Sequence, residues 1–209
     1  MKNSTIEIIN DLCNRYNSLD VCKEQILKSL DIIINAYKNG NKLLTCGNGG
    51  SASDSMHIVG ELMKAFKIKR PLNKELVEIL DDEYMSSHLE MALPTVSLVS
   101  EASLTTAYSN DQAPDLMFAQ QVLGHGKRGD VLLCISTSGN SKNCVYAAKM
   151  AKALDVLVIS LTGEKPCKLD ELSDAVIKAP SCETYKIQEL HLPIYHALCL
   201  AIENEFFGE

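Results

Sequence analysis

VLLCISTSGNS, residues 131–141, joins five apolar residues directly to a polar turn. The apolar run, with β-branched Val131 and Ile135 at its ends, predicts a buried parallel strand. Ser136, Thr137, Ser138 and Ser141 then place four hydroxyls around Gly139 and Asn140. Beyond them, Asn143–Leu154 has apolar residues at helical spacing, so the turn lies between a strand end and a helix N-terminus. Backbone N–H groups and the positive end of a helix dipole converge at such a point, which suits a phosphate. The hydroxyls add donors, and Gly139 lets the backbone approach a ligand closely. No Gly-Lys-Ser/Thr follows, so a nucleotide triphosphate is not implied. An ordinary strand–helix turn capped by Ser141 would carry the same residues, so the reading needs support from elsewhere in the chain.

A second unit of the same kind lies upstream. Lys42–Cys46 reads as a short strand running into Gly47, Asn48, Gly49, Gly50 and Ser51, and Ala52–Phe66 is helical in pattern. The turn lacks the G-x-G-x-x-G spacing of a dinucleotide fold. Its glycines permit torsions that turn N–H groups toward a ligand, or simply a tight turn at positive φ.

Around these units the chain alternates strands and helices. Ile6–Tyr16 and Val21–Asn39 predict an N-terminal helical pair within residues 1–40, with Asp20 as N-cap and Gly40 just past the second helix. Asn73–Ala92 reads as one acidic amphipathic helix capped by Asn73, and Thr95–Val99 as a strand. Ser103–Tyr108 and Asp115–Leu123 predict short helices around a polar turn at Ser109, Asn110 and Asp111. Val156–Leu161 and Ala175–Lys178 are further strands, with a helical turn at Lys168–Leu172 between them. Thr184–Phe207 closes the chain as a long helix containing Pro193. The pattern implies an α/β fold, a central parallel sheet with helices on both faces, built as a single domain over 1–209.

Composition narrows the function. A length of 209 residues, 46% hydrophobic and 22% charged, is that of a soluble globule with a sizeable core. A net charge of −7 with no basic stripe argues against an electrostatic nucleic-acid binder. The eight cysteines contain no C-x-x-C pair, and Cys46 and Cys134 sit inside apolar strands as small hydrophobes. The first residues show no signal-peptide or membrane-spanning run. The expectation is a cytoplasmic protein with reduced thiols and neither nucleic acid nor membrane as partner.

Two helices hold the ionisable candidates. His57 and Glu61 are spaced i, i+4, one face and about 6 Å apart along the axis. An imidazole and a carboxylate so placed can hold a divalent metal, act as a base and its orienter, or form a plain surface pair. On the last helix, Gln188, His191 and His196 stand among apolar residues. Gln188 and His196 are about 80° and roughly 12 Å apart, so one metal could accept both only at the limit of reach, through a helix bent at Pro193, or with ligands from different subunits. His191 reads as a core histidine.

The segments GNGGSASDSMHIVGEL, SND, ISTSGNS and ETYKIQELHLPIYHALC resemble the phosphoheptose isomerases, sedoheptulose-7-phosphate isomerases of the SIS (sugar isomerase) family. The resemblance runs from Lys42 to the end of the chain. It implies a three-layer α/β/α sandwich assembled as a homotetramer, with active sites at subunit interfaces. It also implies a substrate site lined by Asn48, Gly49, Gly50, Ser51, Asn110, Asp111 and Gln188, with Ser136, Thr137, Ser138 and Ser141 on the phosphate. Glu61 and His196 match the family's acid–base pair, and His57, Glu61, Gln188 and His196 its zinc ligands.

The implied reaction converts sedoheptulose 7-phosphate to D-glycero-D-manno-heptose 7-phosphate through an enediol. The chain departs from the family pattern at 70–94, an acidic insertion, and at Glu164-Lys165-Pro166, where a Gly-Gly pair is expected. Two other readings stand beside this one. One is a non-catalytic SIS protein that binds a protein partner, as the DnaA initiator-associating relatives do; those lack the Glu and second His of the isomerase pair. The other is an isomerase for a different sugar phosphate.

Overall fold

The computed structural model describes residues 1–208. Helices α1 (Asn3–Arg15) and α2 (Lys23–Lys38), joined by a 3-10 segment over Asn17–Cys22, precede β1 (Leu43–Gly47). Next come α3 (Gly50–Met63), α4 (Lys74–Leu80), α5 (Glu83–His88) and β2 (Thr95–Ser97). They are followed by α6 (Ala102–Asp111), α7 (Met117–His125), β3 (Val131–Ile135) and α8 (Lys142–Ala153). Strands β4 (Leu157–Gly163) and β5 (Ala175–Ala179) lead to α9 (Thr184–Phe207).

All five strands run parallel in the order β2-β1-β3-β4-β5. Alternate strand residues face opposite ways. Leu43, Val131, Leu133, Ile159 and Ile177 pack beneath α2, α3 and α9, while Leu44, Leu132, Cys134 and Val158 pack beneath α7 and α8. Because both faces are covered, the central strand β3 is an unbroken buried apolar run, while the edge strand β5 alternates buried and half-buried residues. This is the expected α/β/α sandwich. The strand order reverses between β1 and β3, so the loops leaving these neighbouring strands diverge and open a crevice at their C-terminal ends. Gly47 is paired with Ile135, which starts both loops at the same level.

The cysteines are unpaired, and Cys46 and Cys134 are fully buried with their sulfurs 3.7 Å apart. Several boundaries differ from expectation. Asp20 lies inside the 3-10 segment, and α2 starts after Cys22 with no side-chain cap. The single helix expected over 73–92 is two short ones, because Asp81 takes a left-handed conformation (φ 47°) that ends α4. Asp82 then caps α5 by accepting from the Met85 N–H. Asn73 caps α4 as its sequence predicts, accepting from Leu76 N–H. At its base the 70–94 segment is closed by an antiparallel bridge between Pro71 and Glu90. Asn110 and Asp111 form the last residues of α6 and not a turn between helices. No helix among the described residues is long and apolar enough to cross a membrane.

Candidate active site

The two glycine- and hydroxyl-bearing turns flank the crevice between β1 and β3. They are tied together: Asn48 Nδ2 donates to Asn143 Oδ1 (2.9 Å), and Asn143 Nδ2 donates back to Asn48 Oδ1 (2.8 Å). Helices α3 and α8 start at these turns. Neither has a side-chain cap nor an acidic residue in its first turn. Ser141 occupies the N-cap position of α8, as expected, but its hydroxyl is paired with Ser136 Oγ at 3.0 Å instead of capping the helix. In the first turn of α8 the Cys144 N–H donates to Asn143 Oδ1, and in α3 the Ser51 and Ala52 N–H groups donate to the Asn48 and Gly49 carbonyls, which leaves the N–H groups of Lys142, Asn143 and Gly50 for an external acceptor. Gly139 has φ 61°, and a Cβ there would overlap Cys167 Sγ, so only glycine shapes this turn. Gly49 likewise sits at φ 58°.

The ionisable groups lie two turns into α3, opposite α9. His57 Nε2 is 3.0 Å from Glu61 Oε1, the i, i+4 contact read from the spacing. Its Nδ1 is 3.0 Å from the Tyr195 hydroxyl. The His196 ring stands edge-on to His57, centroids 5.0 Å apart, and is bordered by Tyr195 and Phe66. Its Nε2 is buried with no hydrogen-bond partner. Burial, reinforced by His57 and opposed by Glu61, lowers the His196 pKa, which keeps the imidazole neutral at pH 7. His191 is the core histidine its sequence suggests: fully buried, with Nε2 3.2 Å from the Thr162 carbonyl and its pKa lowered to about 4 by burial.

Other predicted residues are placed apart from this cluster. Gln188 packs against the start of α3, its amide occupying the space a Cβ at Gly50 would need. His57 stands seven positions along the helix from Gly50, about 10 Å of rise. Ser51 is buried at the same helix start, and Thr137 accepts the Gly163 N–H through its carbonyl. Ser138 Oγ accepts from the Asn140 N–H. Asn110 donates to the Asp111 carboxylate on exposed α6.

The proposed zinc ligands are not closed into a site within one chain. Among the described residues no three His, Cys, Asp or Glu side chains are grouped to hold a metal ion. His57 Nε2 and Glu61 are engaged with each other, and Gln188 lies at the other end of the helix. His57 and Glu61, with the buried and unpartnered Nε2 of His196 close by, are nonetheless the kind of donor set a divalent metal takes.

Some structural residues escape a reading by motif. Arg70, fully buried, donates from Nη1 to the Leu62 carbonyl and from Nη2 to that of Glu61. Its partner is Glu203, also fully buried, which accepts from Arg70 Nε and Nη2 and from the N–H groups of Phe66, Lys67 and Ile68. This pair holds the C-terminal end of α3, and so Glu61, against α9. Tyr195 and Asn143 are the other two. Their only sequence signal is proximity, one residue before His196 and two after Ser141.

A parallel sheet with two glycine- and hydroxyl-bearing loops at its switch point makes this an α/β domain with a ligand crevice at the C-terminal ends of its strands. The chain belongs to the SIS domain family, whose model matches residues 9–91 and 85–163. It is 39% identical to phosphoheptose isomerase 2 of Campylobacter jejuni over 90% of this chain and 88% of the relative. It is 36% identical to the phosphoheptose isomerase of Aneurinibacillus thermoaerophilus, over 88% and 85%. Among solved structures, the phosphoheptose isomerase of Neisseria gonorrhoeae superposes with a TM-score of 0.75 at 30% identity, covering 96% of this chain and 94% of that one. That of Francisella tularensis gives 0.72 at 28%, covering 96% and 93%.

Proposed function

We propose that the chain is a phosphoheptose isomerase, converting sedoheptulose 7-phosphate to D-glycero-D-manno-heptose 7-phosphate. The observation that carries this reading is the approach of Glu61 and His196 from two helices beside uncapped, hydroxyl-rich helix starts, in a chain similar to named phosphoheptose isomerases. The same approach favours an enzyme over a partner-binding SIS protein. Ser136, Thr137, Ser138 and Ser141 and the α8 N-terminus bind the phosphate, and Asn48, Gly49, Gly50, Ser51 and Gln188 line the sugar, with Asn110 and Asp111 at its edge. Binding energy at the phosphate then positions the reacting carbons at the far end of the sugar.

Aldose–ketose isomerisation moves one proton from C1 to C2 and one between O1 and O2. Glu61 has one oxygen occupied by His57 and leaves Oε2 for the carbon-bound proton. Glu61 takes the C1 proton as the C2 carbonyl becomes an enediol hydroxyl, then returns it to C2. The neutral His196 ring gives its proton to O2 and recovers one from O1, so no imidazolium is needed.

We propose His57, Glu61, Gln188 and His196 as the residues that would hold a zinc ion, since imidazole, carboxylate and amide groups supply N and O donors that suit it. The steps above do not pass through the metal. A homotetramer with sites at subunit interfaces is the assembly we propose. It is supported by the exposed apolar side chains of the insertion, with Ile79 71% and Tyr84 74% exposed. The compartment we propose is the cytoplasm.

The test is turnover of sedoheptulose 7-phosphate by the purified chain, with and without chelator and added zinc. Turnover is expected. Loss on chelation and return with zinc supports the metal, and indifference to chelator removes it. No turnover under any condition overturns the reading.

A further inference from the structure

We propose that a second ligand site, for a nucleoside diphosphate, lies on the outer face of α8, beside the hydroxyl-rich turn. The site is a groove of about 590 Å3 between α8 and the segment 166–172 that follows β4. Lys142 and Lys149 line it from α8 and Lys168 from the facing segment, with Glu171 as its one carboxylate. Three ammonium groups against one carboxylate leave a net positive lining, in a chain whose net charge is −7. Lys142 meets Asp115 at 3.6 Å in an exposed pair, and among the described residues Lys149 and Lys168 are in no ion pair. Like charges gathered without counter-charges repel, and a bound anion relieves that repulsion. Lys142 and Lys149 stand seven positions apart on one face, about 10 Å of rise, a spacing that suits two linked phosphates better than one.

The other walls suit a planar, less polar group. Val145, Tyr146, Pro166 and Leu172 complete the groove, and Tyr146 is 38% exposed, with the Lys149 ammonium 5.7 Å from its ring centroid. Tyr146 and Lys149 also border a second groove of about 360 Å3, whose further walls include Leu116, Leu123 and Met150. One aromatic ring therefore stands between a cationic groove and an apolar one. A nucleoside diphosphate is divided in the same way: its phosphates meet the lysines and its base stacks on Tyr146. An inorganic anion would leave the ring uncovered, and an uncharged aromatic would leave the lysines unpaired.

The groove is tied to the turn on which the sugar phosphate is proposed to bind, and its effect on turnover rests on that reading. Asn140 lines the groove and accepts the Lys168 N–H through Oδ1 (3.0 Å), while the Gly139 carbonyl accepts the Leu169 N–H (3.2 Å). Lys142 is both a groove lysine and the first residue of α8. Two anions at one helix end repel, so an occupied groove weakens sugar-phosphate binding roughly fivefold, and bound sugar phosphate weakens the nucleotide by the same factor.

The test is calorimetric titration of the full chain with ADP, GDP, CDP and UDP, and separately with inorganic pyrophosphate and adenosine. At least one of the four nucleotides is expected to bind once per chain with a Kd of roughly 10–100 μM, and pyrophosphate and adenosine about tenfold more weakly. Lys149→Glu and Lys168→Glu should each weaken the nucleotide about tenfold, and Tyr146→Ala about fivefold, with turnover in its absence unchanged. All three side chains are exposed, so the variants keep the fold. In turnover, the rise in KM levels off as the groove fills, whereas a competitor for the sugar crevice raises KM without limit. No binding by any of the four, pyrophosphate as tight as the nucleotide, binding unchanged in Lys149→Glu or Tyr146→Ala, or an unlimited rise in KM overturns the proposal. The titration is read without turnover, so a chain that binds nucleotide through these residues but does not convert sedoheptulose 7-phosphate refutes the isomerase and leaves the site standing.

Discussion

Helices α3 and α8 and helices α4 and α5 are built on opposite plans. The first two start without a side-chain cap and without an acidic residue in the first turn, and they bury one face against the sheet. The second two start at Asn73 and Asp82, each accepting a backbone N–H, have Glu75 and Glu83 in the first turn, and bury no residue. A helix that stands alone must satisfy its own end, and sequence supplies a cap and a favourable charge for it. A helix held by packing can leave its end open, and an open end at a crevice is a place for an anion. Helix α6 marks the limit of the rule, since it too buries none of its residues yet has neither a cap nor an acidic first turn.

The comparison breaks first if chemistry does not reside on α3 and its partner α9. Glu61→Gln and His196→Ala are each expected to lower kcat roughly 100- to 10,000-fold in a folded protein, measured as turnover of sedoheptulose 7-phosphate. Robust activity in either would remove that residue from the acid–base pair.

It sharpens with a matched pair of substitutions, since Lys142 and Lys74 both stand first in their helices. Lys142→Glu places an anion where the phosphate is expected and should raise KM about tenfold, a change of ~1.4 kcal/mol. The ion pair it loses, with Asp115 at 3.6 Å, is exposed and worth little. Lys74→Glu should leave KM unchanged and stabilise α4 by about 0.3–1 kcal/mol through the helix dipole. Equal KM values for the two variants would move the phosphate away from α8. The smallest effect belongs to the caps: Asn73→Ala and Asp82→Ala should each cost about 1 kcal/mol locally. Hydrogen exchange should quicken in α4 or α5 with little change in the global Tm.

Much of this was legible in the sequence because it is local. VLLCI predicts β3, the polar turn after it predicts a helix start, and Thr184–Phe207 is helical over its whole expected span. His57 and Glu61 meet because i, i+4 neighbours on a helix meet. What was not legible depends on contacts between distant residues. Tyr195 reaches His57 across 138 positions, and a tyrosine on an apolar helix reads as core. Glu203 reads as a surface charge until Arg70, 133 positions away, is found beside it. The break at Asp81 was hidden because helical periodicity continues through it, and strand order cannot be read from strand existence. Asn110 and Asp111 look like turn residues by composition, yet they end a helix.

The reciprocal amide pair between Asn48 and Asn143 has a consequence for motion. The loop after β1 and the first turn of α8 exchange hydrogen bonds in both directions and cannot part without losing both. Entry and exit of a sugar therefore depend on what borders them.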